Sequence, residues 1–171
     1  RSLTENGMAD IALKLATNTT YPSWGYMVEN KATTIWELWN ATTASPEMNS
    51  HNHVMLLGDL IIWYYENLAG IKSSREFTGF KKIIMAPEFD IDLNFVNAVY
   101  HSVHGEIKSE WYKEKDKIFW NISIPANTTA KVYIPAENKS VGQGAISPIK
   151  SGEEIIQHRI WFPESITNIA H

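Results

Sequence analysis

The stretch Ile118-Phe119-Trp120-Asn121-Ile122-Ser123-Ile124 decides the fold of the second half of the chain. Ile118, Trp120, Ile122 and Ile124 recur at every second position, the period of a strand with one buried face. After a turn at Pro125-Ala126-Asn127, Ala130, Val132 and Ile134 repeat the pattern. Working outward, the runs Lys82–Ala86, Leu93–Tyr100, Gly105–Tyr112 and Glu154–Phe162 are further strand candidates, and Lys115-Asp116 reads as a hairpin turn. Short strands at such regular intervals predict an antiparallel, jelly-roll-like β-sandwich over residues 73–171. A polar segment from Lys72 to Gly79 reads as the linker into it.

Before the linker the period changes. Ser2-Leu3-Thr4-Glu5 matches a capping box, with Ser2 as N-cap. Met8, Ile11, Ala12 and Leu15 then share one face at helical spacing, and Thr17 to Ser23, with Pro22, ends that helix. A second helix is expected from Asn49-Ser50 to a C-cap at Gly70. Val54, Leu57, Ile61, Tyr64 and Leu68 form its stripe, while Leu56, Leu60, Ile62 and Trp63 fill its other faces. A helix apolar nearly all round must be buried in a larger assembly. Residues 1–72 therefore read as the last helices of a longer helical domain, and the opening at Arg1 reads as cut from something larger.

Composition narrows the function classes. The 171 residues are 44% hydrophobic and 20% charged, as in a globular protein. A net charge of −4 argues against nucleic acid as a partner, since phosphate binding needs a basic surface. The longest apolar run is too short to span a bilayer, so no membrane partner is expected. Without cysteine there are neither disulfides nor thiolate metal sites. Five N-x-S/T sequons begin at Asn18, Asn40, Asn121, Asn127 and Asn138. Seven Trp and seven Tyr are more than a core of this size requires, and flat rings with a polar edge suit the C–H faces of sugars.

The densest chemistry lies between Tyr21 and His53. It comprises Tyr21-Pro22-Ser23-Trp24-Gly25-Tyr26-Met27, Ala32-Thr33-Thr34-Ile35-Trp36-Glu37-Leu38-Trp39 and Met48-Asn49-Ser50-His51-Asn52-His53. Glu37 stands between two tryptophans, where partial desolvation suits a carboxylate to proton transfer. His51 and His53 lack an obvious third ligand, so no metal is expected. His53 is better placed as a hydrogen-bonding partner of a ligand hydroxyl.

Taken together and in this order, these three segments resemble the α-L-rhamnosidases of glycoside hydrolase family 78. Leu68-Ala69-Gly70-Ile71 and Gly79-Phe80-Lys81-Lys82 resemble that family's exit from its barrel into a C-terminal β-domain. The resemblance implies the last hairpins of a six-hairpin α/α barrel followed by the sandwich, and inverting hydrolysis of terminal α-L-rhamnosyl groups without a cofactor. It maps the general base onto Glu37 and a rhamnose-contacting histidine onto His53, with Trp36 and Trp39 lining or supporting the sugar pocket. It also implies that the general acid comes from an earlier hairpin, so the missing N-terminal part of the same enzyme is an expected partner. Two departures stand out. Leu38 occupies a position that is often Arg in the family, and residues 141–171 do not resemble its usual ending.

A reading of another class treats the chain as a noncatalytic carbohydrate-binding or structural module. Trp111, Trp120 and Trp161 would then be sugar platforms, although the alternation around Trp120 favours a core position.

Overall fold

The computed structural model describes residues 1–40, 43–45, 47, 50–53, 55, 58–115, 117–134, 146–150 and 156–163. The chain forms two compact units, Arg1–Trp63 and Tyr64–His171. Among the described residues no helix is long and apolar enough to cross a membrane.

Among its described residues the first unit holds four short α-helices, α1 (Ser2–Glu5), α2 (Ala9–Thr17), α3 (Trp24–Glu29) and α4 (Gly58–Trp63). The expected capping box does not form. Arg1 is the N-cap, and Ser2 already lies inside the helix. Gly7, at φ 73°, then stops α1, with its own N–H on Thr4 O and that of Met8 on Leu3 O. This pairing is a glycine C-cap that uses up the free carbonyls of the helix end. The restart at Ala9 buries Ala9, Leu13 and Ala16, which follow one another at four- and three-residue spacing. The predicted stripe of Met8, Ile11 and Leu15 is therefore exposed.

The second helix also departs from expectation. Met48, Asn49, Val54, Leu56 and Leu57 lie outside the described residues, but Ser50 to His53 are not helical. Their backbone is engaged elsewhere, because Glu37 N donates to Ser50 O and His53 N to Ile35 O. In α4 the inward residue is Trp63, whose indole N–H donates to the buried Thr4 hydroxyl at 2.8 Å. Ile61 and Ile62 are exposed.

The second unit opens with a π-helical turn, Tyr64–Leu68, and contains eight strands among its described residues. These are β1 (Ile71–Ser73), β2 (Lys82–Met85), β3 (Phe95–Ser102), β4 (Gly105–Glu114), β5 (Lys117–Ile124), β6 (Thr129–Val132), β7 (Ile146–Lys150) and β8 (Ile156–Pro163). They form two four-stranded sheets, β1-β2-β6-β7 and β3-β4-β5-β8. Every neighbouring pair is antiparallel except β2 and β6. Helices followed by two mainly antiparallel sheets are the predicted fold class. The turn at Pro125 to Asn127, where Asn127 has φ 59° and Thr128 Oγ1 donates to Pro125 O, carries the chain from one sheet to the other. Strand β1 overlaps the start of the segment expected to be a linker, at Lys72 and Ser73. The sequon at Asn138, Asp116 of the expected hairpin turn, and residues 135–145, 151–155 and 164–171 lie outside the described residues.

The alternation in the decisive stretch has the predicted effect. Ile118, Trp120, Ile122 and Ile124 are all buried, with Trp120 opposite Trp111 and Ile122 opposite Ser109 of β4. Phe89 sets its ring edge-on to both Trp111 and Trp120, with centroids 5.5 and 5.3 Å away. A buried indole must still satisfy its N–H. Trp120 Nε1 donates to Ser109 Oγ at 2.9 Å, Ser109 Oγ donates to Ala69 O at 2.6 Å, and Trp111 Nε1 donates to Leu68 O at 2.8 Å. Trp111 and Trp120 are thus core residues, not sugar platforms, because the pleat turns both indoles away from solvent.

Two outcomes follow from this packing. Ser109→Ala strands the Trp120 N–H and the Ala69 carbonyl in the core, at about 1–3 kcal/mol for each unsatisfied group. A chemical denaturation series is expected to show a loss of that order. Burial pushes the Glu88 carboxyl upward, against the pull of Lys72 and with a smaller push from Asp90. A group held more protonated in the folded state contributes stability below its unfolded pKa and loses that contribution as pH rises through the folded value. Glu88→Gln is therefore expected to raise the melting temperature at neutral pH, with the gain vanishing as pH falls below the ordinary glutamate range.

Candidate active site

The site is built where two non-helical segments of the first unit are tied together. Ile35 to Glu37 and Ser50 to His53 exchange backbone hydrogen bonds at 2.9 Å (Glu37 N to Ser50 O) and 2.7 Å (His53 N to Ile35 O). Thr34 Oγ1 also donates to His51 O. The bonds connect positions far apart in sequence and need no regular strand, only an extended backbone on both sides. Their effect is to put Glu37 and His53 side by side.

The Glu37 carboxylate is oriented by the same device. Its Oε2 accepts the Ser50 backbone N–H at 2.9 Å, and His53 Nδ1 lies 3.8 Å from that oxygen. The latter distance exceeds a hydrogen bond. One carboxylate oxygen is therefore held by the backbone, while the side chain remains 41% exposed against 22% for His53. A tethered yet open carboxylate can act on a group brought to it from solvent.

The wall behind Glu37 is aromatic. Trp36 is only 5% exposed and forms a buried cluster with Met27, against which Trp24, Ala32 and Ile35 pack. Trp39 is 37% exposed and meets Trp24 edge-on at 5.8 Å. Sequence reasoning singled out Trp36 and Trp39 as a pair, whereas the fold makes one of them support and leaves the other at the surface. Helix α3 supplies Trp24 and Met27 because Ser23 caps it, its hydroxyl accepting the Tyr26 N–H at 2.9 Å. These residues border a cavity of about 700 Å³, also lined by Glu37, Met55, Asp59 and Ile62. That lies within the roughly 300–1,000 Å³ typical of small-molecule sites.

Asp59 is the lining residue least visible in the sequence, where it reads as an ordinary surface carboxylate of a helix. Here its Oδ1 pairs with Arg1 at 3.0 Å. His51 turns away to the Trp36 ring, with centroids 6.2 Å apart, and does not join His53. Among the described residues no group of three or more His, Asp or Glu side chains is arranged to hold a metal ion.

Both parts of the chain are similar to known proteins. Residues 1–68 match the bacterial alpha-L-rhamnosidase 6 hairpin glycosidase domain, and residues 70–147 match the bacterial alpha-L-rhamnosidase C-terminal domain. An alpha-L-rhamnosidase of Streptomyces avermitilis is 35% identical over 141 residues, which cover 80% of this chain and 13% of that protein. One from Formosa agariphila is 37% identical over 141 residues, covering 80% of this chain and 15% of the relative. The crystal structure of the Streptomyces avermitilis enzyme complexed with L-rhamnose superposes with a TM-score of 0.71 at 34% identity, over 80% of this chain and 13% of that one. The chain thus spans about one seventh of the length of these relatives.

A close approach under the site makes it sensitive to a single methyl group. A Cβ on Gly25 would lie 2.3 Å from Asn18 O, a backbone atom with no freedom to retreat. Gly25→Ala is expected to displace α3 and with it Trp24 and Met27. Near-ultraviolet circular dichroism should report this as a loss of the tryptophan signal at temperatures where the wild-type chain keeps it.

Proposed function

Because the chain belongs to the bacterial α-L-rhamnosidase family, we propose that it carries the general base of an inverting glycosidase acting on terminal α-L-rhamnosyl groups. The observation that supports this most directly is the Glu37 carboxylate, held by the Ser50 N–H and open to a 700 Å³ aromatic cavity beside His53. In an inverting reaction the base takes a proton from water, which attacks the anomeric carbon opposite the departing group. A second carboxyl about 6.5–9.5 Å away protonates that group. Glu37 is the base in this reading, with His53 bonding a sugar hydroxyl. Trp39 lines the pocket, and Trp36 supports it from the core.

The proton donor is assigned to the longer polypeptide. Asp59 also borders the cavity, but its Oδ1 is engaged by Arg1 at 3.0 Å. The partners proposed are therefore a rhamnose-containing glycoside and the rest of the barrel. The exposed Met8, Ile11, Leu15, Ile61 and Ile62 supply apolar surface for the latter.

The reading is tested in two steps. Glu37→Gln in a complete enzyme is expected to lower turnover by roughly two to four orders of magnitude while leaving the melting temperature near that of the parent. Near-normal turnover would remove Glu37 from the role. Hydrolysis of a chromogenic aryl α-L-rhamnoside should then appear only when this chain is mixed with the upstream part of the enzyme. Activity of the chain alone would mean that another of its carboxylates, such as Glu29, Glu47 or Asp59, gives the proton.

A further inference from the structure

We propose that the outer face of the sheet β3-β4-β5-β8 binds a neutral oligosaccharide along two adjoining cross-strand rows. The strand register defines both rows. Phe95 stands opposite Tyr112, Tyr112 opposite Phe119, and Phe119 opposite Trp161, so aromatic residues occupy one position on each of the four strands. Two residues along, Asn97 stands opposite Glu110, Glu110 opposite Asn121, and Asn121 opposite Arg159. All are out of phase with the buried Ile107, Ser109 and Trp111 of β4 and Ile118, Trp120 and Ile122 of β5. Both rows therefore belong to the face turned away from the sandwich core.

The aromatic row is a surface feature rather than a second core. Tyr112 and Phe119 stack with centroids 5.1 Å apart and planes within 17°. Both are only partly buried, and Phe95 at the sheet edge is 69% exposed. A cross-strand aromatic pair can be explained by sheet stability alone. An exposed Phe continuing the pair on an edge strand, next to a row of polar residues, contributes little to such stability and needs another account.

The chemistry of the rows selects the ligand. Asn97 and Asn121 each offer a donor and an acceptor, and Glu110 accepts. This mixture matches hydroxyl groups, which both give and receive hydrogen bonds. Charge on the described part of the face is largely offset, since Lys108 is paired with Glu106 at 2.9 Å and is also attracted by Glu110. Neither a polyanion nor a polycation is favoured there. A glycan laid across β3, β4 and β5 meets one ring and one polar group at each strand spacing of about 4.8 Å, on the scale of a single pyranose. Its C–H surface lies against the aromatic row and its hydroxyls over the polar one. The proposal does not depend on the role of Glu37.

The test is a titration of the intact 171-residue chain with neutral rhamnosyl- and glucosyl-linked oligosaccharides, followed by amide chemical shifts. Shifts are expected at Phe95, Asn97, Glu110, Tyr112, Phe119 and Asn121. Phe95→Ala and Asn97→Ala alter exposed positions of β3, so both variants should melt close to the parent while binding about tenfold more weakly, equivalent to roughly 1.4 kcal/mol each. Absence of shifts on this face, shifts confined to Trp36 through His53, or affinity unchanged in both variants would overturn the proposal. Loss of turnover in Glu37→Gln bears on the catalytic reading alone, so the two can fail separately.

Discussion

The second unit depends on how two buried indole N–H groups are satisfied. Trp111 and Trp120 are the largest fully buried side chains of the sandwich, and each brings one polar group into an apolar interior. Their acceptors, directly or through Ser109, are the carbonyls of Leu68 and Ala69. Those carbonyls close a helical segment and have no partner within it. One set of hydrogen bonds thus meets two demands, at the end of the helical turn and inside the sheet core. Gly70 then turns the chain at φ 72°, so close beneath Pro87 that a Cβ would fall 2.2 Å from its nitrogen. The entry into the sandwich is accordingly held by packing as well as by polar contacts.

A related economy shapes the candidate active site. Irregular backbone near a pocket must find partners for its N–H and C=O groups. Here the segment around Glu37 and the segment around His53 supply them to each other, with the Glu37 side chain taking one donor itself. The cost is the first part of the predicted second helix, since residues bonded across to Ile35 and Glu37 cannot also make helical bonds. The gain is a carboxylate fixed at one oxygen on a side chain still 41% exposed, in front of a tryptophan wall whose rigidity comes from the burial of Trp36 with Met27.

Local features with a short range were legible. Alternation over residues 118–124 predicted the burial of Ile118, Trp120, Ile122 and Ile124, because the pleat leaves a side chain only two directions, whereas Ser123 on the other face is buried as well. The segments bearing Glu37, His53, Trp36 and Trp39 were also recognisable, since a site needs particular residue types in a particular order. Less could be read where several apolar faces competed. For α2 both Met8-Ile11-Leu15 and Ala9-Leu13-Ala16 have helical spacing, and hydrophobicity favours the first while the folded unit buries the second.

The sequence by itself determined the change from helix to sheet, the strand that forms the sandwich core, and the family to which the chain belongs. These follow from periodicity and residue order, which survive without knowledge of any long-range contact. Only the tertiary structure decided that β6 lies parallel to β2, that Trp36 is buried while Trp39 is exposed, and that Asp59 shares the cavity with Glu37. Each depends on which distant backbone groups satisfy one another. That pairing is set by geometry across many residues, and no local pattern records it.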